Sequence, residues 1–124
     1  MRAFKPLAAF AAATLALGAC VSEETASAKR GQLIDRAFPD PADREGIFLV
    51  FPMDSGGSIE TVEVIWLTDV LGQGEVVRRV QGFCARNGGV GASGEVGIKR
   101  DIGATTVTVD GQPRPARQVF FSCL

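Results

Sequence analysis

The sequence contains no histidine and no tyrosine, one tryptophan, and three cysteines in 124 residues. Without histidine the chain lacks the commonest general base and metal ligand, and with it every Ser-His, Cys-His or His-zinc mechanism. Neither sign of charge dominates, since 13 Lys+Arg stand against 14 Asp+Glu for a formal net charge of −1. That balance excludes a polybasic nucleic-acid binder and an acidic disordered tail. The longest apolar run, Leu7 to Ala19, is too short to cross a bilayer, which takes ~20 residues. The length itself allows one domain and argues against two.

What is present falls into two unlike segments. Residues Met1 to Ala19 hold 14 of the hydrophobic residues and carry Arg2 and Lys5 ahead of the apolar run. A positive start followed by a short Ala- and Leu-rich stretch is the pattern of a secretory signal. Its removal leaves 11 basic against 14 acidic side chains, so the remainder is mildly acidic, at about −3.

The apolar run ends in Leu17-Gly18-Ala19-Cys20. This quartet resembles the lipobox of bacterial lipoproteins, in which small residues precede a cysteine that becomes the mature N-terminus. The resemblance covers the leader only. It implies a diacylglyceryl thioether on Cys20, cleavage after Ala19 and acylation of the new amino group. Several acyl chains hold a protein to a membrane far better than one. Val21, in place of Asp, implies the periplasmic face of the outer membrane under the Gram-negative sorting pattern. Ordinary secretion is the rival, with Ala26-Ser27-Ala28 as an A-x-A cleavage site and a mature chain starting at Lys29.

Residues 20–32 are polar with only small apolar side chains, which predicts a flexible tether. Lys29 and Arg30 within it suit weak contact with anionic headgroups, and a plain solvated linker is the simpler reading. Residues 33–124 then form a single α+β domain. Leu33 to Phe38 is compatible with one helical turn, stopped by Pro39 and Pro41. The run Ile47-Phe48-Leu49-Val50-Phe51 predicts a strand, and Asp54-Ser55-Gly56-Gly57 a turn. Ser58 to Trp66 fits a strand with Val62, Val64 and Trp66 on one face, or a helix aligning Ile59, Val62, Ile65 and Trp66. Its Val, Ile, Thr and Trp content favours the hairpin strand.

The clearest helix spans Glu75 to Asn87, where Val76, Val77, Val80, Phe83 and Cys84 recur on one face. Arg78, Arg79, Gln81 and Arg86 are expected to point away, and Asn87-Gly88-Gly89 to supply a left-handed cap. Short strands follow at Glu95 to Lys99 and Thr105 to Val109, with Asp110-Gly111 as a hairpin turn. Pro113 and Pro115 confine the start of the return arm to loop or edge, and Gln118 to Cys123 completes a last strand. The expected fold is a small antiparallel sheet of four or five strands with one helix packed across a face.

With Cys20 assigned to lipid, Cys84 and Cys123 remain as a pair in an oxidising compartment, which favours a disulfide over a reactive thiol. No C-x-x-C motif is present. The stretch Val77-Arg78-Arg79-Val80-Gln81-Gly82-Phe83-Cys84-Ala85-Arg86-Asn87-Gly88, with Val119-Phe120-Phe121-Ser122-Cys123, loosely resembles small uncharacterised periplasmic lipoproteins of proteobacteria. That resemblance implies a stapled fold and transfers no catalytic residue.

No set of residues stands out for catalysis, a cofactor, a metal or a small-molecule substrate. The glycines of Asn87 to Gly94 follow a helix and lack the Gly-Lys-Ser/Thr of a phosphate loop. Asp40, Asp43 and Glu45 lack the spacing of a calcium loop and read as a capped surface turn. Glu60 and Glu63 read as a solvated sheet face. Ser55 has neither a nucleophile-elbow context nor a base. Phe120 and Phe121, adjacent on a strand, must face opposite sides of the sheet, so one is a candidate partner surface. The reading favoured by the sequence is a lipid-anchored envelope protein with a structural or protein-binding role. The alternative is a small periplasmic inhibitor or accessory subunit of an envelope complex, and an enzyme is the weakest of the three.

Overall fold

The computed structural model describes residues 25–88 and 93–124. Four antiparallel strands form one open sheet in the order β1-β2-β4-β3, with β1 Ile47–Ser55, β2 Ser58–Leu67, β3 Val96–Val109 and β4 Gln112–Cys123. Helix α1 covers residues 25–37 and helix α2 covers Gln73–Asn87. A short 3-10 turn, Pro41–Asp43, lies between α1 and β1. Two hairpins are thus joined through α2, and β4 enters the sheet between β2 and β3. The expected α+β architecture holds, with two helices instead of one.

The second helix corrects the reading of residues 25–32 as part of a flexible tether. Thr25 to Gln32 has no apolar stripe of its own, but Leu33, Ile34, Ala37 and Phe38 follow it. Ala37 and Phe38 are buried in the core, and Leu33 and Ile34 pack against it. Burial of that last turn offsets the nucleation cost, after which each preceding residue adds a hydrogen bond for little entropy. Arg30 stacks on Phe48 with its guanidinium carbon 4.6 Å from the ring centre, adding a second hold further up the helix. The helix gives way before Pro39, whose ring disfavours helical geometry in the residue preceding it.

Alternation decides the ambiguous segment. Val62, Val64 and Trp66 are all buried while Glu63 and Ile65 between them are not, as a strand requires. Together with Val50, Val119 and Phe121 they form the sheet's half of the core. Val76, Val80, Phe83 and Cys84 of α2 cover that face from above. The Trp66 and Phe121 rings lie 6.4 Å apart at its centre. Cys84 and Cys123 are bonded, tying α2 to the central strand β4.

Three further expectations are corrected. The stretches Glu95 to Lys99 and Thr105 to Val109 belong to one long strand, β3, whose register shifts at Ile98/Arg100 and at Asp101/Gly103. Each shift is a bulge, which bends a long strand without ending it. Gly88 closes α2 at φ −77°, not left-handed, with its N–H donating to Cys84 O; Gly89 lies outside the described residues. Arg79 does not point away but is 6% exposed, packed between α2 and the turn before β1. The Asp110-Gly111 turn is as expected, both residues having positive φ. Pro113 and Pro115 pair only with β3, in the part of β4 that β2 does not reach.

Arg79 anchors a latch at the N-terminal end of α2. Its Nη1 donates to the carbonyls of Asp43 (2.9 Å) and Glu45 (2.7 Å), and its Nε to Glu75 Oε1 (3.1 Å). The adjacent Arg78 pairs with Glu75 and Asp43 from the solvent side. The Arg78 and Arg79 guanidiniums hold the Glu75 carboxyl down at about 2, against an ordinary 4.5. A lowered carboxyl pKa stabilises the fold above the unfolded value and loses that contribution as the group protonates. The latch is therefore expected to contribute fully above pH 4.5 and to weaken as pH falls toward 2. Acid unfolding of Glu75→Gln compared with the parent chain checks this, because the variant should lack the part of the stability change that falls in that window.

Candidate functional site

The core residues of both helices pack against one face of the sheet, and the opposite face carries the exposed Phe51 and the half-buried Phe120. The strand register builds that open face in rows. Phe51 lies beside Glu63, Glu63 beside Phe120, and Phe120 beside Arg100. Next to this row, Met53, Thr61, Ser122 and Gly97 run across the sheet. On its other side run Leu49, Ile65, Gln118 and Gly103. Cross-strand partners share a face, so these side chains form one continuous surface. Its apolar side chains gather on β1, as Leu49, Phe51 and Met53, while β2 and β4 add Ile65 and Phe120 among Glu63, Thr61, Gln118 and Ser122; Phe51 is 47% exposed.

Phe120 and Phe121 divide as expected for neighbours on a strand. Phe121 is fully buried beneath the helices, and Phe120 is half-buried on the open face. Glu63 accepts from the Gln118 amide and is half-buried, whereas Glu60 is exposed. Lys99 Nζ donates to Thr61 Oγ1 at 3.2 Å. A concavity of about 360 Å³ lies against Met53, Thr61, Lys99, Arg100 and Phe120. A second hollow, about 300 Å³, lies between α1 and the tip of the β3–β4 hairpin, with Ser27, Arg30, Phe48 and Asp110 among its walls.

The other residues singled out in the sequence are not gathered here. Asp40 caps the 3-10 turn, accepting from Ala42 N–H at 3.0 Å, and Asp43 belongs to the Arg78 and Arg79 latch. Glu45 takes part through its backbone carbonyl, to which Arg79 donates. Ser55 ends β1 beside the Gly56-Gly57 turn. Cys84 and Cys123 form the bridge on the covered side. Leu17 to Cys20 lie outside the described residues, as do Gly89 to Ala92 of the glycine-rich turn. Among the described residues no helix is long and apolar enough to cross a membrane.

Met53, Thr61, Lys99 and Arg100 were not legible as one group. Only the β1–β2–β4–β3 pairing brings 53, 61, 99, 100 and 120 together, and the bulge at Lys99 has no signature in the residues around it. Phe120 alone was visible, through its alternation with Phe121. No family model, no curated protein and no solved structure compared with this chain matches it.

Proposed function

We propose that the chain is a non-enzymatic, lipid-anchored envelope protein that presents the open face of its sheet to a protein partner beside a membrane. The observation that carries the binding role is the row of Phe51 and Phe120 on a face that neither helix covers. Apolar surface left in contact with water costs free energy that a partner recovers by covering it. Glu63, Gln118 and Arg100 between and beside the rings supply the polar contacts that fix register in such an interface.

The anchor rests on the resemblance of Leu17-Gly18-Ala19-Cys20 to a lipobox, and Val21 supports the periplasmic face of the outer membrane. One structural fact favours it over ordinary secretion. Cleavage after Ala28 would remove residues 25–28, which belong to α1, and with them Ser27 from the wall of the α1 hollow.

The binding role is tested by placing a photo-crosslinking amino acid at Phe51 in intact cells. A discrete adduct at position 51, absent with the probe at Asp110 on the hairpin tip, is the expected result. Equal labelling from both positions, or none, contradicts a binding role for this face. A small inhibitor or accessory subunit is a narrower form of the same proposal, and it predicts a single stoichiometric adduct.

A further inference from the structure

We infer that the concavity beside Lys99, Arg100 and Phe120 binds one anionic amphiphile, a carboxylate or phosphate head carried on an apolar chain. The site is built by the first bulge of β3. Register passes from Ile98 opposite Phe121 to Arg100 opposite Phe120, leaving Lys99 unpaired. In a regular strand Lys99 and Arg100 would face opposite sides of the sheet. The bulge lets Lys99 reach the open side as well, where it meets Thr61 and shares the concavity with Arg100. Two consecutive cations on one face are the result.

Those cations are placed for an anion that the chain does not provide. The arginines of β4 are neutralised, Arg114 by Asp69 and Arg117 by Asp101. Among the described residues neither Lys99 nor Arg100 has a carboxylate partner. Glu63, the acid nearest in the row, is engaged by the Gln118 amide. The Thr61 hydroxyl uses one of the three ammonium donors of Lys99, so two remain for a ligand. Beside them Phe120 and Met53 form the apolar wall of the concavity. A head group bonded to both cations would leave its chain lying on these side chains.

The volume of about 360 Å³ falls at the lower end of the range usual for small-molecule sites. A concave site of this size takes the end of one molecule. We therefore assign the site to a monomeric ligand. This inference does not depend on a protein partner, although both readings use Phe120.

The chain offers a local probe, because its two methionines are Met1 and Met53, and Met53 lines the concavity. Full-length protein labelled at the methionine methyl carbons and held in phosphatidylcholine nanodiscs is titrated with octanoate, octanol and acetate. Octanoate should shift the Met53 methyl signal saturably and bind about tenfold more tightly than octanol, as a charge-assisted contact requires. Acetate should leave the signal unmoved. In Lys99→Gln/Arg100→Gln the preference for octanoate over octanol should disappear, while the unliganded Met53 signal stays in place and shows that the fold is intact. Equal affinity for octanoate and octanol overturns the inference, as does the absence of a saturable shift. If phosphatidylglycerol nanodiscs alone move the signal and octanoate adds nothing, the surface docks on a bilayer and the monomer site is refuted.

Discussion

Replacing Cys84 and Cys123 together by alanine is expected to lower the unfolding free energy by about 4 kcal/mol, because the bridge closes a long loop. The two residues are 39 positions apart, and the loop they close contains part of α2, all of β3 and nearly all of β4. In the chain-entropy account the cross-link acts on the unfolded chain, whose freedom it restricts. Its placement adds to this, since Cys84 is wholly buried and Cys123 ends the strand that pairs with both β2 and β3. A small domain has only about 5–15 kcal/mol in total, so the loss is a large fraction of it. At about 4 °C per kcal/mol for a chain of this size, the midpoint should fall by roughly 15 °C. Denaturant unfolding with and without reductant measures the same quantity, and the reduced chain should also show a steeper dependence on denaturant as its unfolded state expands. A loss below about 1 kcal/mol would mean that the unfolded chain is already compact around this loop.

Arg79→Met is expected to cost about 3 kcal/mol, while Arg78→Met, one residue away, should cost less than about 1 kcal/mol. The two arginines share Glu75 as a partner, so the contrast isolates what differs between them. Arg78 is 58% exposed and its ion pairs compete with water. Arg79 is 6% exposed, and the carbonyls of Asp43 and Glu45 to which it donates lie in the turn that leads into β1. Methionine keeps much of the apolar stem but removes two part-buried, charge-assisted hydrogen bonds to those carbonyls. Thermal unfolding of the two variants in parallel checks the prediction. Equal effects would place the contribution of this corner in the shared Glu75 pair instead of in the backbone contacts.

The covered side of the sheet could be read ahead of the structure because burial imposes a period. Val62, Val64 and Trp66 recur every second residue, and Val76, Val80, Phe83 and Cys84 every third or fourth. The pairing of Cys84 with Cys123 followed from their number once Cys20 was set aside. Arg79 was misplaced because a helical period sorts residues by polarity, and a long guanidinium can be buried where backbone carbonyls receive it. Residues 25–32 were misread for the complementary reason. Their helix is held by side chains further along, at Leu33, Ile34, Ala37 and Phe38; Ala26, Ala28, Lys29, Arg30 and Gln32 are good helix formers, but with no apolar stripe of their own they show no helical period. The open face was only half visible. Alternation separates Phe120 from Phe121, but the meeting of Met53, Thr61 and Lys99 depends on long-range register and a bulge, which no local pattern encodes.

The proposed position beside a membrane depends on lipid attachment at Cys20. Mass spectrometry of the mature chain recovered from the membrane fraction tests it most directly. The expected result is an N-terminal peptide that begins at Cys20 and carries the added mass of a diacylglyceryl group and an amide-linked acyl chain. A mature N-terminus at Lys29, with the first turn of α1 removed and no lipid attached, would contradict it.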